Sequence, residues 1–567
     1  MAVYPAYFTL LGLIVYGIAY FVYARWYDKH IWEPDPKKTT PAHMYMDGVE
    51  FFPASRYILY GFQFKGIAGA APIVGPFVAL SYGWVPALIW ILLGNFFIGW
   101  IHDYGALFTS VRREGKTLGP LAYEIIGPRA RSALMGFLIY YLIMVAAAFF
   151  FVCSILFHLR GGGLVFMVFI VIAGIISGVL LYRVKVHILY ATIVGWIIMI
   201  IGLYLGSYVA PLPKVISPEI AMLATAIICF FGAVLPIIWY AQPVNYMAFY
   251  PCIVGIIVLI VGALITPFTG ITVVPPAFGP AFPYSPKVGP IWPILMVSIA
   301  CGAISGWHTL VGTSGSSRQV DVETDILPVG AGSMLTEGLL ALSALGAYMA
   351  MTSEEAIKAG KFWGFALGAS RLAAPLFLTT AENPALQTFF FAFIAIYAIT
   401  VLQLVFRFMR MAMAELAAPI PPLRVTLGNK YIGTIVGMLI SGLFAWSGAW
   451  INLWTYFGGS NQLLAGMSLL LVSCHLASVK KPTKFNLAPA IFMLVTCEGA
   501  LAWENYVMAK AIMAGKPIAK GLITKYPAAA LGLNGIFLIL GVIMMILGLI
   551  VAYDGLKAWA KYRKVAE

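Results

Sequence analysis

Apolar runs of about twenty residues recur along almost the whole chain, and this constrains the fold more than any other feature. A run of that length crosses the hydrocarbon core as a helix. Lipid offers the backbone no hydrogen-bond partners, so each run must satisfy its own. Spans are expected near 6–26, 57–80, 84–108, 132–157, 163–181, 188–209, 219–240, 248–266, 291–313, 330–351, 386–408, 431–447, 458–478, 486–508 and 528–553. Only 10% of the 567 residues are charged and 62% are hydrophobic, against about 25% charged in soluble domains. The expected class is an all-α polytopic membrane protein with about 15 transmembrane helices.

Charge sets the expected topology. A further stretch, 361–378 (KFWGFALGASRLAAPLFL), is amphipathic and carries Arg371. If it does not cross and the N-terminus is outside, the inner loops hold 24 Lys/Arg and the outer loops nine. If it crosses, the counts become 17 and 16 and the inner excess vanishes. Inner loops carry the excess of Lys and Arg. The stretch is therefore expected to be an external amphipathic or re-entrant segment, with residues 355 and 382 both outside.

Other classes find little support. The six cysteines lie in or at apolar segments without metal or redox spacing, so no metal and no cofactor is expected. No Walker loop, zinc-ligand pattern or GxSxG occurs, and no enzymatic activity is expected. The net charge of +14 is read through loop position, not as a nucleic-acid surface. The first run reads as a retained span, not a cleaved signal. The chain is expected to be one membrane domain. Residues 1–56 supply the first span and a cytoplasmic loop, 57–480 the transport core, and 481–567 extra spans. The proline-rich stretch 267–290 is expected to be an ordered external cover.

Two spans contain helix breakers. GFQFKGIAGAAPIVGP (61–76) holds four glycines, two prolines and Lys65; ACGAISGWHTLVGTSGSS (300–317) is the second. Proline removes a backbone hydrogen bond and clashes with the preceding turn. Irregular backbone at membrane depth must face protein or a water-filled cavity. Two interrupted helices running in opposite directions point to an inverted-repeat secondary transporter. The competing reading is close helix packing through small residues. Pro72 and Pro76 in one stretch, and His308, Thr309, Thr313 and Ser314 in the other, favour transport. Candidate substrate contacts are Gly66, Ala68, Gly69, Pro72, Ser305, Gly306, His308 and Thr309.

The chain also resembles the carbon starvation protein A (CstA) family. The resemblance rests on TPAHMYMDGVEFFP (40–53), GIAGAAPIVGP, WVPALIWILLGNFFIGWIHDY (84–104), RREGKTLG (112–119), ACGAISGWHTLV (300–311), GAGSMLTEGLLAL (330–342) and YFGGSNQLLAG (456–466). It implies a leucine-transporter-like inverted-repeat core of the amino acid–polyamine–cation superfamily, with additional helices and the two broken ones. It further implies import of short peptides across a prokaryotic plasma membrane, as in a carbon-starvation response. The alternative is pyruvate or another small monocarboxylate or amino acid, proton-coupled or uncoupled. A passive channel and a transporter-like sensor are the rivals from other classes.

Departures from the family pattern concentrate at ionisable positions. Phe62 and Gln63 stand where two histidines are usual, and Lys65 where a small residue is. Val244 and Asn245 replace an Arg-Asp pair, and Gln403 and Leu404 replace an Asp-Thr pair after Thr400. Lys65, Asp103, Glu337, Thr400 and Gln403 are the candidate ion-coupling or charge-relay residues, with Lys65 expected to pair with Asp103 or Glu337. An ammonium in the pocket where relatives bind sodium implies sodium-independent transport. Each residue also has a structural reading: Lys65 snorkelling, Asp103 capping a helix near Arg112 and Arg113, His308 satisfied between packed helices. Asn461 and Gln462 read as polar glue between helices, and Trp307, Trp239 and Tyr240 as packing. The partners expected are a small-molecule substrate and membrane lipid, with no nucleic acid; the oligomeric state stays open.

Overall fold

The apolar runs fold as helices because each closes its backbone hydrogen bonds within itself. The structure, a computed structural model, describes residues 2–209, 216–447, 450–518 and 525–566. In chain order the principal helices are α1 (Pro5–Trp32), α2 (Arg56–Ile67), α3 (Ala71–Ala79), α4 (Trp84–Arg112), α5 (Pro128–Leu159), α6 (Gly161–Tyr182), α7 (Ile188–Val209) and α8 (Pro218–Val234). Then come α9 (Ala241–Leu264), α10 (Ile291–Ser298), α11 (Ala300–Ala303), α12 (Trp307–Ser314), α13 (Glu323–Met349) and α14 (Ser353–Ala373). Last are α15 (Pro384–Ala417), α16 (Lys430–Ser447), α17 (Trp450–Ser478), α18 (Lys484–Met513) and α19 (Pro527–Ala566).

Twelve of the described helices are long and apolar enough to cross a membrane. The expected spans at 57–80 and 291–313 are interrupted, into α2–α3 and α10–α12. The one expected at 219–240 stops early, as the 17-residue α8. Pro236 explains this: the residue before a proline is driven out of the helical region, and Leu235 is extended (φ −76°, ψ 152°). The following helix accordingly begins at Ala241, seven residues before the expected 248.

Loops expected on the inner side gather on one face. Ala54 pairs with Val320, and the Asp35 amide donates to Glu323 at 2.9 Å. Arg112 forks onto the same Glu323, with both contacts at 2.8 Å. Lys481 reaches Glu33 at 2.6 Å, and Arg129 pairs with Asp554. The opposite face carries 267–290, ordered as expected. Its Val274 and Gly279 amides donate to the Met349 and Tyr82 carbonyls, and its hairpin pairs β1 (Tyr284–Ser285) with β2 (Gly289–Pro290).

The stretch 361–378 starts and ends on this second face. Thr352 caps α14, and Arg371 reaches back to Glu355 (2.9 Å) and to the Ala350 carbonyl (3.4 Å). Arg371, and then the Thr352 amide and hydroxyl, hold the Glu355 carboxyl down to about 2. Thr379 and Thr380 border one cavity with Ile271, Val274 and Ala350. The segment therefore turns back rather than crossing, with Gly360 (φ 77°) making the bend. Glu355 is occupied by this cap, so Glu354 and Glu382 are the better labelling sites. Cysteines at both are expected to react with an impermeant external thiol reagent; opposite accessibility would mean that the stretch crosses.

Candidate transport site

The first break lies between Ile67 and Ala71. Ala68 leaves the helical region (φ −72°, ψ 106°), and Pro72 falls within the first turn of α3. There its missing N–H costs nothing, because first-turn amides lack intrahelical acceptors anyway. Proline thus starts a new helix instead of extending the old one. Gly69 is tightly packed: a Cβ there would sit 3.0 Å from the Phe149 ring and 3.4 Å from Val401.

The second break has two irregular points, Ile299 (φ −98°, ψ 67°) and Ile304 (φ −164°, ψ 144°). Two residues of α17 satisfy the backbone groups that these free. Asn461 accepts the Gly306 amide on its carbonyl (2.9 Å) and the Trp307 amide on its side chain (3.0 Å). The Gln462 side-chain amide donates to the carbonyls of Met296 (2.9 Å), Ile299 and Ala300 (both 3.3 Å). Gly306 lies so close to the Asn461 carbonyl that any Cβ would overlap it. Both residues thus join helices, as expected, and they also replace hydrogen bonds that the broken helix has given up, an obligation of any buried backbone group.

The breaks touch. The Trp307 indole N–H donates to the Gly66 carbonyl at 2.7 Å, so Trp307 bonds across the breaks as well as packing. Because Ala54, just before α2, pairs with Val320, just after α12, α2 starts and α12 ends on the same face. The two broken helices run in opposite directions.

A buried polar chain crosses this junction. Thr309 Oγ1 donates to Ser468 (2.8 Å) and meets His102 Nε2 (2.7 Å). His102 Nδ1 meets Asp103 Oδ1 at 2.8 Å, and Asp103 Oδ2 meets His308 Nδ1 at 2.8 Å. His308 Nε2 lies 3.0 Å from Glu337 Oε2. Asp103, His308 and Glu337 side chains are all 0% exposed. One imidazole between two carboxylates offsets part of the desolvation cost that such charges incur. Asp103 is thus a partner of two histidines, not a cap near Arg112.

Lys65 stands apart from this chain. Its ammonium is fully buried, has the Cys252 side chain beside it and lies 3.4 Å from the centre of the Tyr397 ring. Among the described ion pairs it makes none with Asp103 or Glu337: His102 and His308 hold Asp103, and Glu337 lies against His308. A buried position also excludes snorkelling. Thr400 and Gln403 do not join the cluster either. Thr400 donates to the Ile396 carbonyl of its own helix (2.7 Å), and Gln403 donates to Asn245 (2.9 Å). All eight candidate substrate contacts and all five charge-relay candidates are buried, so this conformation closes the junction to solvent on both faces.

Sequence reasoning missed Cys301, Ser468 and Tyr397, and it did not single out His102 beside Asp103. Their only signal is polarity, or an aromatic ring, inside an apolar run, and that does not reveal what they touch.

The sequence model of the family described as "Carbon starvation protein CstA" matches residues 5–359 and 346–500. The chain is 27% identical to "Peptide transporter CstA" of Bacillus subtilis (strain 168), covering 98% of this chain and 97% of that one. It is 30% identical to "Peptide transporter CstA" of Helicobacter pylori (strain J99), over 85% and 79% of the two chains. It is 26% identical to "Pyruvate/proton symporter BtsT" of Escherichia coli (strain K12), over 88% and 80%.

Proposed function

The chain belongs to the carbon starvation protein CstA family and is a multi-pass plasma-membrane transporter, and on that premise we propose that it imports short peptides by secondary transport through the junction of its two broken helices. The observation that carries this reading is the contact of the breaks at Gly66 and Trp307, within a closed and polar interior. The helix ends at the first break, and the backbone groups released when the breaks part, supply donors and acceptors for a small polar solute. Opening toward one face separates the breaks on that side while the other side stays sealed, which is alternating access. A leucine-transporter-like inverted-repeat core, with some helices added outside it, accommodates this motion.

A short peptide carries an ammonium and a carboxylate. The junction offers Lys65 for the second, and the acidic groups Asp103 and Glu337 for the first. A second reading, a small monocarboxylate such as pyruvate, is favoured by one observation: Lys65 is a buried cation without a counter-ion, whereas both carboxylates already have histidine partners. Proteoliposome uptake separates the two. Saturable uptake of a labelled dipeptide, competed by peptides but not by pyruvate, supports the first. Competition by pyruvate alone moves the assignment to the second, and flux that never saturates would indicate a channel.

A further inference from the structure

Three donors of different chemistry meet where the second broken helix packs against α13. Cys301 lies on α11 before the break, His308 on α12 after it, and Glu337 on α13. Cys301 Sγ, one imidazole nitrogen of His308 and one carboxylate oxygen of Glu337 lie within 4.8 Å of one another, all buried. His308 Nε2 and Glu337 Oε2 are 3.0 Å apart, a charge contact without hydrogen-bond geometry, so these two atoms and Glu337 Oε1 make no hydrogen bond. Groups that are buried and unsatisfied in this way need an account.

We propose that Cys301, His308 and Glu337 bind one divalent transition-metal ion of the zinc type. Bonds of about 2.0–2.3 Å at tetrahedral angles place donor atoms roughly 3.3–3.6 Å apart, so only a small adjustment admits the ion. A set of thiolate, imidazole and carboxylate selects against magnesium and calcium. The surroundings match what such ligands require. Asp103 accepts from His308 Nδ1 at 2.8 Å, which fixes Nε2 as the free nitrogen, and His102 in turn holds Asp103. A carboxylate behind a ligating histidine is the usual support. The Cys301 thiol donates to Ser305 Oγ at 3.3 Å, and the Asn461 side-chain amide, 3.6 Å from Sγ, is a donor for the thiolate. Binding takes place when the junction opens to one face, and the thiol proton leaves to water on that face. Three protein ligands leave a fourth position for water or solute. The ion clasps both halves of the broken helix to α13. The spacing 301, 308, 337 resembles no compact metal motif, which is why the sequence gives no sign of it.

The test is independent of transport. The purified full-length protein is stripped with chelator, reloaded with zinc, washed, and its metal measured by mass spectrometry. About one zinc per chain is expected, with cobalt loading giving a thiolate-to-metal charge-transfer band that Cys301→Ala removes. Asp103→Asn should weaken zinc binding by about 10–100-fold, the usual cost of losing such a support. Cys301→Ser and Glu337→Gln, which keep size and polarity, guard against misfolding and should each bind less zinc. Wild-type protein that elutes as a folded monodisperse species, yet retains no more zinc than these variants, overturns the proposal.

Discussion

Gly69→Leu is expected to abolish uptake while leaving the protein inserted in the membrane and monodisperse after extraction. The first side-chain carbon alone would lie 3.0 Å from the Phe149 ring and 3.4 Å from Val401. A leucine adds three further carbons against these two walls. Overpacking of this kind costs about 1–3 kcal/mol, and the packing and hydrogen bonds between the remaining helices are untouched. It acts, however, at the break, where α2 and α3 must move relative to α5 and α15. Gly69→Ala is the control: it needs only a few tenths of an ångström and should retain partial activity. Normal transport by the leucine variant would remove this break from the substrate path.

Uptake is also expected to be independent of sodium, and Lys65→Ala to cripple it. The ammonium of Lys65 is fully buried beside Tyr397, so a second cation brought near it would be repelled in a low-dielectric setting. Removing the ammonium deletes a charged group that makes no ion pair among the described residues. Hydrogen bonds to charged groups contribute about 1.5–3 kcal/mol, so substrate KM should rise roughly 10–100-fold. Replacing external sodium with choline should leave wild-type rates unchanged. A sodium requirement, or normal kinetics of Lys65→Ala at acid, neutral and alkaline pH, would contradict this role.

The spans and both breaks were legible because they depend on local chemistry. Long apolar runs must be helical in lipid, and Pro72 announces a helix start. The helix end at Pro236 follows the same local rule and was overlooked because the run stays apolar beyond it. The turn of 361–378 was legible through the balance of loop charges, a property of the whole chain. Pairings across the bundle were not legible. Asn245 and Gln403 read as two unrelated losses of a carboxylate, yet they bond to each other at 2.9 Å. Two carboxylates at that distance would repel; two amides donate and accept. Lys65 was assigned the wrong neighbours for the same reason. Depth along a helix can be counted, but which way its side chain points depends on packing that no single segment specifies.

Counterflow tests the central claim most directly. Proteoliposomes preloaded with unlabelled dipeptide are diluted into a trace of labelled dipeptide, with no ion gradient. Alternating access through a closed junction predicts a transient accumulation of label above its external concentration, saturating with internal substrate and absent for Gly69→Leu. Label that only equilibrates, at a rate proportional to concentration and indifferent to preloading with peptide or pyruvate, would contradict a transporter of either substrate.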